Sequence, residues 1–311
     1  MATLATPDLA PPAPENARPR HWSERLPGEA LDHIPGEAGA PIIGNTFKML
    51  ADPHAFTRRM IATYGPVYKN RAFGGWNVAL VGPEANELVL FDRDKIFSSE
   101  QGWGPILDKL FPRGLMLIDF DHHRMDRRAL SIAFKPGPMR HYSGSLNSGI
   151  ARVVKDWGGK PMQFYPAIKQ LTLDLAADSF IGIAWGPEAD RINQAFVDMV
   201  QASVAPVRKP LPFTQMRKGV KGREFLVDYF TRETHRRRAE GGGQDMFSQF
   251  ATATREDGSL LPVDEVVDHM NFLMMAAHDT ITSSATSLVW LLAKHPEWQV
   301  LAERLREEGY R

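Results

Sequence analysis

One stretch constrains this chain more than any other: residues 262–296, PVDEVVDHMNFLMMAAHDTITSSATSLVWLLAKHP. Pro262 opens it at a position where proline is favoured. Asp264 and Glu265 fall in the first turn, where the helix dipole favours acids, and His295-Pro296 closes the run. The segment predicts one helix of about 33 residues, roughly 50 Å long at 1.5 Å per residue. Few globular helices reach that length. A helix so long must cross the molecule, so the rest of the fold has to pack around it.

The remaining chain can supply that packing. It has 311 residues, 43% of them hydrophobic, enough to bury one large core or two smaller ones. Apolar residues recur every three or four positions in 138–157 (Met139, Tyr142, Leu146, Ile150, Val153, Trp157), and 164–182, 188–203, 215–239 and 297–308 behave alike. A short helix is expected over 53–64, and Pro83 opens another. The strong strand signal is GPVYKNRAFGGWNVALVGP, where two β-prone runs flank Gly74-Gly75 and predict a hairpin. The fold class expected is mainly α with a small β-hairpin or sheet near the N-terminus. Residues 1–40 are rich in Pro, Ala, Glu and Arg and read as a flexible leader, with 41–311 as the folded domain. VAPVRKPLPF (204–213), with three prolines, is a mobile-loop candidate, and EGGGQD (240–245) is a second break.

Composition excludes several classes. Lys+Arg and Asp+Glu are both 37, so nothing favours nucleic acid or an acidic membrane surface. No apolar run is long enough for a transmembrane span, and no signal-peptide pattern is present; a cytoplasmic protein is expected. The absence of cysteine rules out disulfides, thiolate metal sites and cysteine nucleophiles within these residues.

The long helix carries an acid and an alcohol side by side, Asp279 and Thr280. Phe272, Met275, Ala276 and Asp279 share one face by helical spacing. Ala276-Ala277 leaves room for a flat group to approach the backbone. Thr280 can bond the carbonyl of residue 276 and loosen the turn, and loosened turns often mark functional sites. One reading is a proton relay, in which Asp279 and Thr280 deliver protons to an oxygen species over the Ala276-Ala277 turn; such assistance is typically worth ~10²–10⁴ in rate. The other is an exposed Asp279 beside a back-bonded Thr280 with no chemical role.

A second stretch, DFDHHRMDRRALSIAFKPGPM (119–139), places His123 and Arg127 on one helix face at i, i+4. Arg grips carboxylates with a fixed two-donor fork. Asp119, Asp121, His122 and His123 are also possible hard-metal ligands, and Asp-His-His is similar to a phosphoesterase signature, but that family needs an α/β sheet where this chain reads as helices. A solvated basic face is the bland alternative.

MMAAHDTITSSATSLVWLLAKHPEWQVLAERLREE resembles the central and following helices of the cytochrome P450 monooxygenases. That family carries Ala or Gly, Gly, any residue, Asp or Glu, then Thr; here the residues are Ala276, Ala277, His278, Asp279 and Thr280. Ala277 replaces the usual glycine, which implies a tighter oxygen-binding kink. The resemblance extends over 41–308. It implies haem b as cofactor, with His123 and Arg127 on its propionates, Ala276 and Ala277 against it, and Asp279 and Thr280 as catalytic residues. Met275, Trp103 and Leu107 would line the pocket of a small apolar substrate. The partners implied are O₂ and a ferredoxin- or flavodoxin-type electron donor, docked on the basic face that includes Arg124 and Arg128. RETHRRR (232–238) is expected to be plain helix surface.

Two family elements are missing. The iron ligand is a cysteine thiolate, and this sequence has none. Neither Glu233/Arg236 nor Glu303/Arg306 lies on the helix expected for the family's Glu-x-x-Arg pair. The expectation is a chain truncated before both elements, inactive by itself, and poorly soluble because an apolar face would lie open. The alternative is a haem-free helical remnant or binder of apolar ligands.

Overall fold

The computed structural model describes residues 28–159 and 161–309. They form two separately packed units, divided between Gln101 and Gly102. Residues 1–27 of the expected leader lie outside the described residues. Residues 28–40, expected to belong to it, carry regular structure: Gly28–Leu31 is a 3₁₀ turn, and Gly36–Glu37 is a strand, β1.

In the first unit, β1 pairs in parallel with β2 (Val67–Ala72), and β2 pairs antiparallel with β3 (Gly75–Leu80). Ala72 faces Gly75 across the ladder, so the hairpin turn is Phe73-Gly74 and not the expected Gly74-Gly75. Both turn residues have positive φ, +52° and +79°, as the favoured two-residue turn requires. Phe73 accepts that conformation while its backbone N–H donates to Thr46 Oγ1 at 2.8 Å. The helices are α1 (Thr46–Ala51), α2 (Pro53–Tyr64) and α3 (Pro83–Phe91). Asp52 caps α2 by accepting from Ala55 N–H, with Pro53 in the first turn. Phe56 and Met60 of α2 pack on Tyr68, giving a small satellite core.

The next helix, α4 (Ser99–Leu107), leads into the second unit. There α5 (Phe120–Leu130), α6 (Pro136–Val154), α7 (Phe164–Ala176), α8 (Pro187–Ser203), α9 (Gln215–Ala239), α10 (Met246–Ala251), α11 (Val263–Lys294) and α12 (Pro296–Glu307) follow. Beyond α7 the chain makes one π turn, Ala177–Ile181. The long helix is present at 32 residues. Helices α8 and α9 approach closely because glycine permits it: a Cβ on Gly219 would lie 2.3 Å from Ala202 Cβ, and one on Gly222 would lie 2.7 Å from Ala195 O. The main core joins Leu110, Phe111, Ile192, Met199, Leu226, Phe230, Phe247 and Met270. The periodic stripe of α6 is buried only in part: Tyr142 is in the core, whereas Met139 and Ile150 are exposed.

The 204–213 loop is tethered in its middle. Arg208 donates to three carbonyls, Ala202 at 3.0 Å, Ser203 at 2.6 Å and Ile106 at 2.5 Å. The basic run at 232–238 also differs from a plain surface. Arg237 is buried and donates to Asp245 at 2.6 Å, Ser248 at 2.5 Å and the Ile181 carbonyl at 2.5 Å. Arg238 donates to the carbonyls of Ala251 and Leu261. Periodicity alone gave no sign of this, because the acceptors come from distant elements.

Candidate functional site

Helix α11 presents two faces in its middle. Val267, Asn271, Met274, His278 and Thr282 form a buried stripe at helical spacing. This stripe meets α7, where Thr282 and Thr172 hydroxyls share a hydrogen bond of 2.9 Å. Ala276 and Thr280 are exposed on the other side. Phe272, Met275, Ala276 and Asp279 therefore do not share one environment. Phe272 is buried, Met275 and Asp279 are partly so, and Ala276 is open.

The helix stays regular from 276 to 280, without the loosened or kinked turn the sequence suggested. Thr280 does bond back, its hydroxyl donating to the Ala276 carbonyl. Asp279 Oδ1 lies 3.0 Å from Nδ1 of the buried His278. That hydrogen bond, opposed by burial and helped by the positive charges of His278 and Lys169, holds the Asp279 carboxyl below the usual carboxylate range.

On α5, His123 is half-buried and Arg127 exposed. Burial, then the Arg127 charge, push the His123 imidazole below its ordinary value, so it favours the neutral form. Among the described residues Arg127 has no ion-pair partner, whereas Arg124 pairs with Asp121 at 3.1 Å and Arg128 touches Glu256. Two of the basic side chains on this helix are thus neutralised within the chain.

The residue that ties α5 to α11 was not singled out in the sequence. Asp126 is 1% exposed and receives His269 Nε2 at 3.1 Å and His122 Nε2 at 3.3 Å. Arg255 stands 3.8 Å from it and bonds Glu265 at 2.5 Å. Burial raises the Asp126 carboxyl, but His269, His122 and Arg255 together outweigh it and leave the group below its usual value. His122, Asp126 and Glu265 bring possible metal-ligand atoms within 4.8 Å of one another. The Arg255 guanidinium already supplies a cation there. Asp119 and Asp121 are not in this group. One turn ahead of Asp268, Asp264 pairs with Arg113 at 2.8 Å; Asp268 itself is held by Arg113 at 3.1 Å and Arg223 at 3.2 Å.

Of the expected pocket residues, Leu107 is buried in the main core, Met275 packs on its edge, and Trp103 is 43% exposed one turn before Leu107. Glu233/Arg236 and Glu303/Arg306 are ion pairs within single helices, at 2.7 and 3.7 Å. No described helix is long and apolar enough to cross a membrane.

The chain as a whole has counterparts elsewhere. A putative cytochrome P450 136 from Mycobacterium tuberculosis is 37% identical over 295 residues, covering 93% of this chain and 59% of the relative. The taxane 13-alpha-hydroxylase of Taxus cuspidata is 27% identical over 292 residues, 89% of this chain and 58% of that one. Among solved structures, a cyanobacterial CYP120A1 with retinoic acid bound superposes with a TM-score of 0.74 at 25% identity, over 89% of this chain and 63% of that one. The chain thus spans about three-fifths of these relatives' length. The family model described as cytochrome P450 matches residues 34–309. With that match spanning most of the chain, and a relative 37% identical over 93% of it, the chain belongs to the cytochrome P450 family.

Proposed function

We propose that this chain forms the oxygen-activating side of a haem-dependent monooxygenase acting on a small apolar molecule of lipid, sterol or terpenoid type. The observation that carries the reading is the open face of α11, where the bare Ala276 turn lies beside Asp279 and Thr280. The relatives named for a taxane and for retinoic acid support an apolar substrate. In the overall reaction one atom of O₂ enters a C–H bond. The other leaves as water, with two electrons from the donor and two protons.

Haem, when bound, supplies the oxygen activation. The residues present fit one side of it. Ala276 leaves room for a flat ring, and His123 with the exposed Arg127 offers donors to two carboxylates. They do not supply its thiolate ligand, since the 311 residues include no cysteine. What the chain's own groups do is narrower. Thr280 can turn its hydroxyl from the Ala276 carbonyl toward the open face, and Asp279, half-exposed, can exchange protons with solvent. Met275, Trp103 and Leu107 border the substrate. The donor is a ferredoxin- or flavodoxin-type protein, and the protein works in the cytoplasm.

The missing cysteine also favours a second reading, a helical binder of apolar ligands without haem. Titrating haemin into the purified 311-residue chain separates the two. The monooxygenase reading expects one haem per chain, weaker uptake in Arg127→Ala, and no thiolate-type spectrum after reduction under CO. Absence of uptake supports the haem-free reading instead.

A further inference from the structure

Adjacent residues on a helix point roughly 100° apart, and neighbours in sequence do not normally face each other. His278 and Asp279 nonetheless touch, Nδ1 to Oδ1 at 3.0 Å. His278 belongs to the buried stripe one turn before Thr282, whose hydroxyl is bonded to Thr172 of α7. Asp279 sits at the border of that stripe. For the two to meet, the carboxylate has to swing toward the buried side.

The contact matters to both partners. The His278 ring is 4% exposed, and its Nε2 is buried with no hydrogen-bond partner among the described residues. Asp279 is thus the hydrogen-bonding group that meets the ring. If the carboxylate left, Nδ1 would lose its partner beside an Nε2 that already has none among the described residues, which is costly. Thr280 gives the acid no rival attraction, because its hydroxyl is committed to the Ala276 carbonyl. The charged groups acting on Asp279 are His278 on its own helix and Lys169 on α7, both favouring the ionised acid.

We infer that His278 is a positioning residue: it holds the Asp279 carboxylate turned toward the buried, α7-facing side of α11. Turning toward the Thr280 face takes the acid away from His278, so the histidine opposes proton delivery on that side. That opposition rests on the proton-relay reading above, whereas the holding contact does not.

The test is a pH titration of the Asp279 carboxyl signal by NMR in the full 311-residue chain, carrying isotope-labelled aspartate. The signal is assigned by its loss in Asp279→Asn. The unaltered chain should titrate below the ordinary carboxylate value. His278→Gln should move the midpoint up toward it, and Lys169→Gln should move it up by less. Titration of the unaltered chain at the ordinary value overturns the inference, and so does a His278→Gln chain with an unchanged midpoint. If His278→Gln does not fold, His278→Asn replaces it, and the unaltered chain remains decisive. Failure of haem uptake would remove the monooxygenase reading and leave this titration result standing.

Discussion

The two halves of α11 are made of similar material and live in different surroundings. Its ten buried residues all lie at or before Thr282. From Ser283 onward none is buried, although the segment holds Leu288, Trp290 and Leu291, at 58%, 58% and 47% exposure. The first half is also fastened by ionic contacts, through Asp264, Asp268 and His269 to Arg113, Arg223 and Asp126. The second half is followed by α12, whose Trp298 and Val300 are exposed as well. The contrast teaches that helical periodicity reports the helix but not what covers it. An apolar surface of this kind is characteristic of interaction sites.

The comparison can be broken by mutation. The largest effect is expected at the link between α5 and the first half of α11. Asp126→Ala should cost about 3–5 kcal/mol, because removing one member of a buried ionic group strands the others. A shift in urea midpoint equivalent to less than about 1 kcal/mol would show that the link contributes little. Next, Met270→Ala in the first half should cost about 2–5 kcal/mol by leaving a cavity, whereas Leu291→Ala should stay within about 0.5 kcal/mol. Equal losses at both positions would mean that the second half is packed in solution. A smaller contrast is expected between two threonines. Thr282→Val should lose about 1 kcal/mol with its bond to Thr172, and Thr280→Val, exposed and back-bonded, should be close to neutral.

The finest contrast is in pH dependence. The folded chain holds Asp126 below its ordinary 3.8, so its contribution is present above that value and is lost as pH falls through the depressed one. Asp268 behaves oppositely. Burial raises it despite Arg223 and Arg113, so its contribution is fullest below 3.8 and declines as pH rises through the raised value. Urea midpoints measured across the acid range should show a flatter acid limb in Asp126→Asn and a steeper one in Asp268→Asn. The same slope in both variants would refute the opposed signs.

Much of this was legible in the chain. The bounds of α2, α9 and α11 and the presence of the hairpin follow from proline positions, turn residues and apolar spacing, all local signals. The pairing of Asp279 with His278 was not legible, since it depends on a swing toward α7 that spacing cannot show. Nor was Asp126, whose partners His269 and Arg255 are more than a hundred residues away and give no local pattern. Arg237 misled for the same reason: in a run of arginines nothing local marks the one whose acceptors lie across the core. The strand within 28–40 was missed because β1 is two residues long and owes its existence to the strand beside it.

The buried Arg237 has one more implication. Its guanidinium joins α9 to the start of α10 and to the π turn after α7, elements as far apart in sequence as 56 residues. None of the three can peel away without stranding a charge inside the protein. Their amide protons should therefore exchange with solvent together, at a single opening free energy, so that this corner of the molecule unfolds as one cooperative unit.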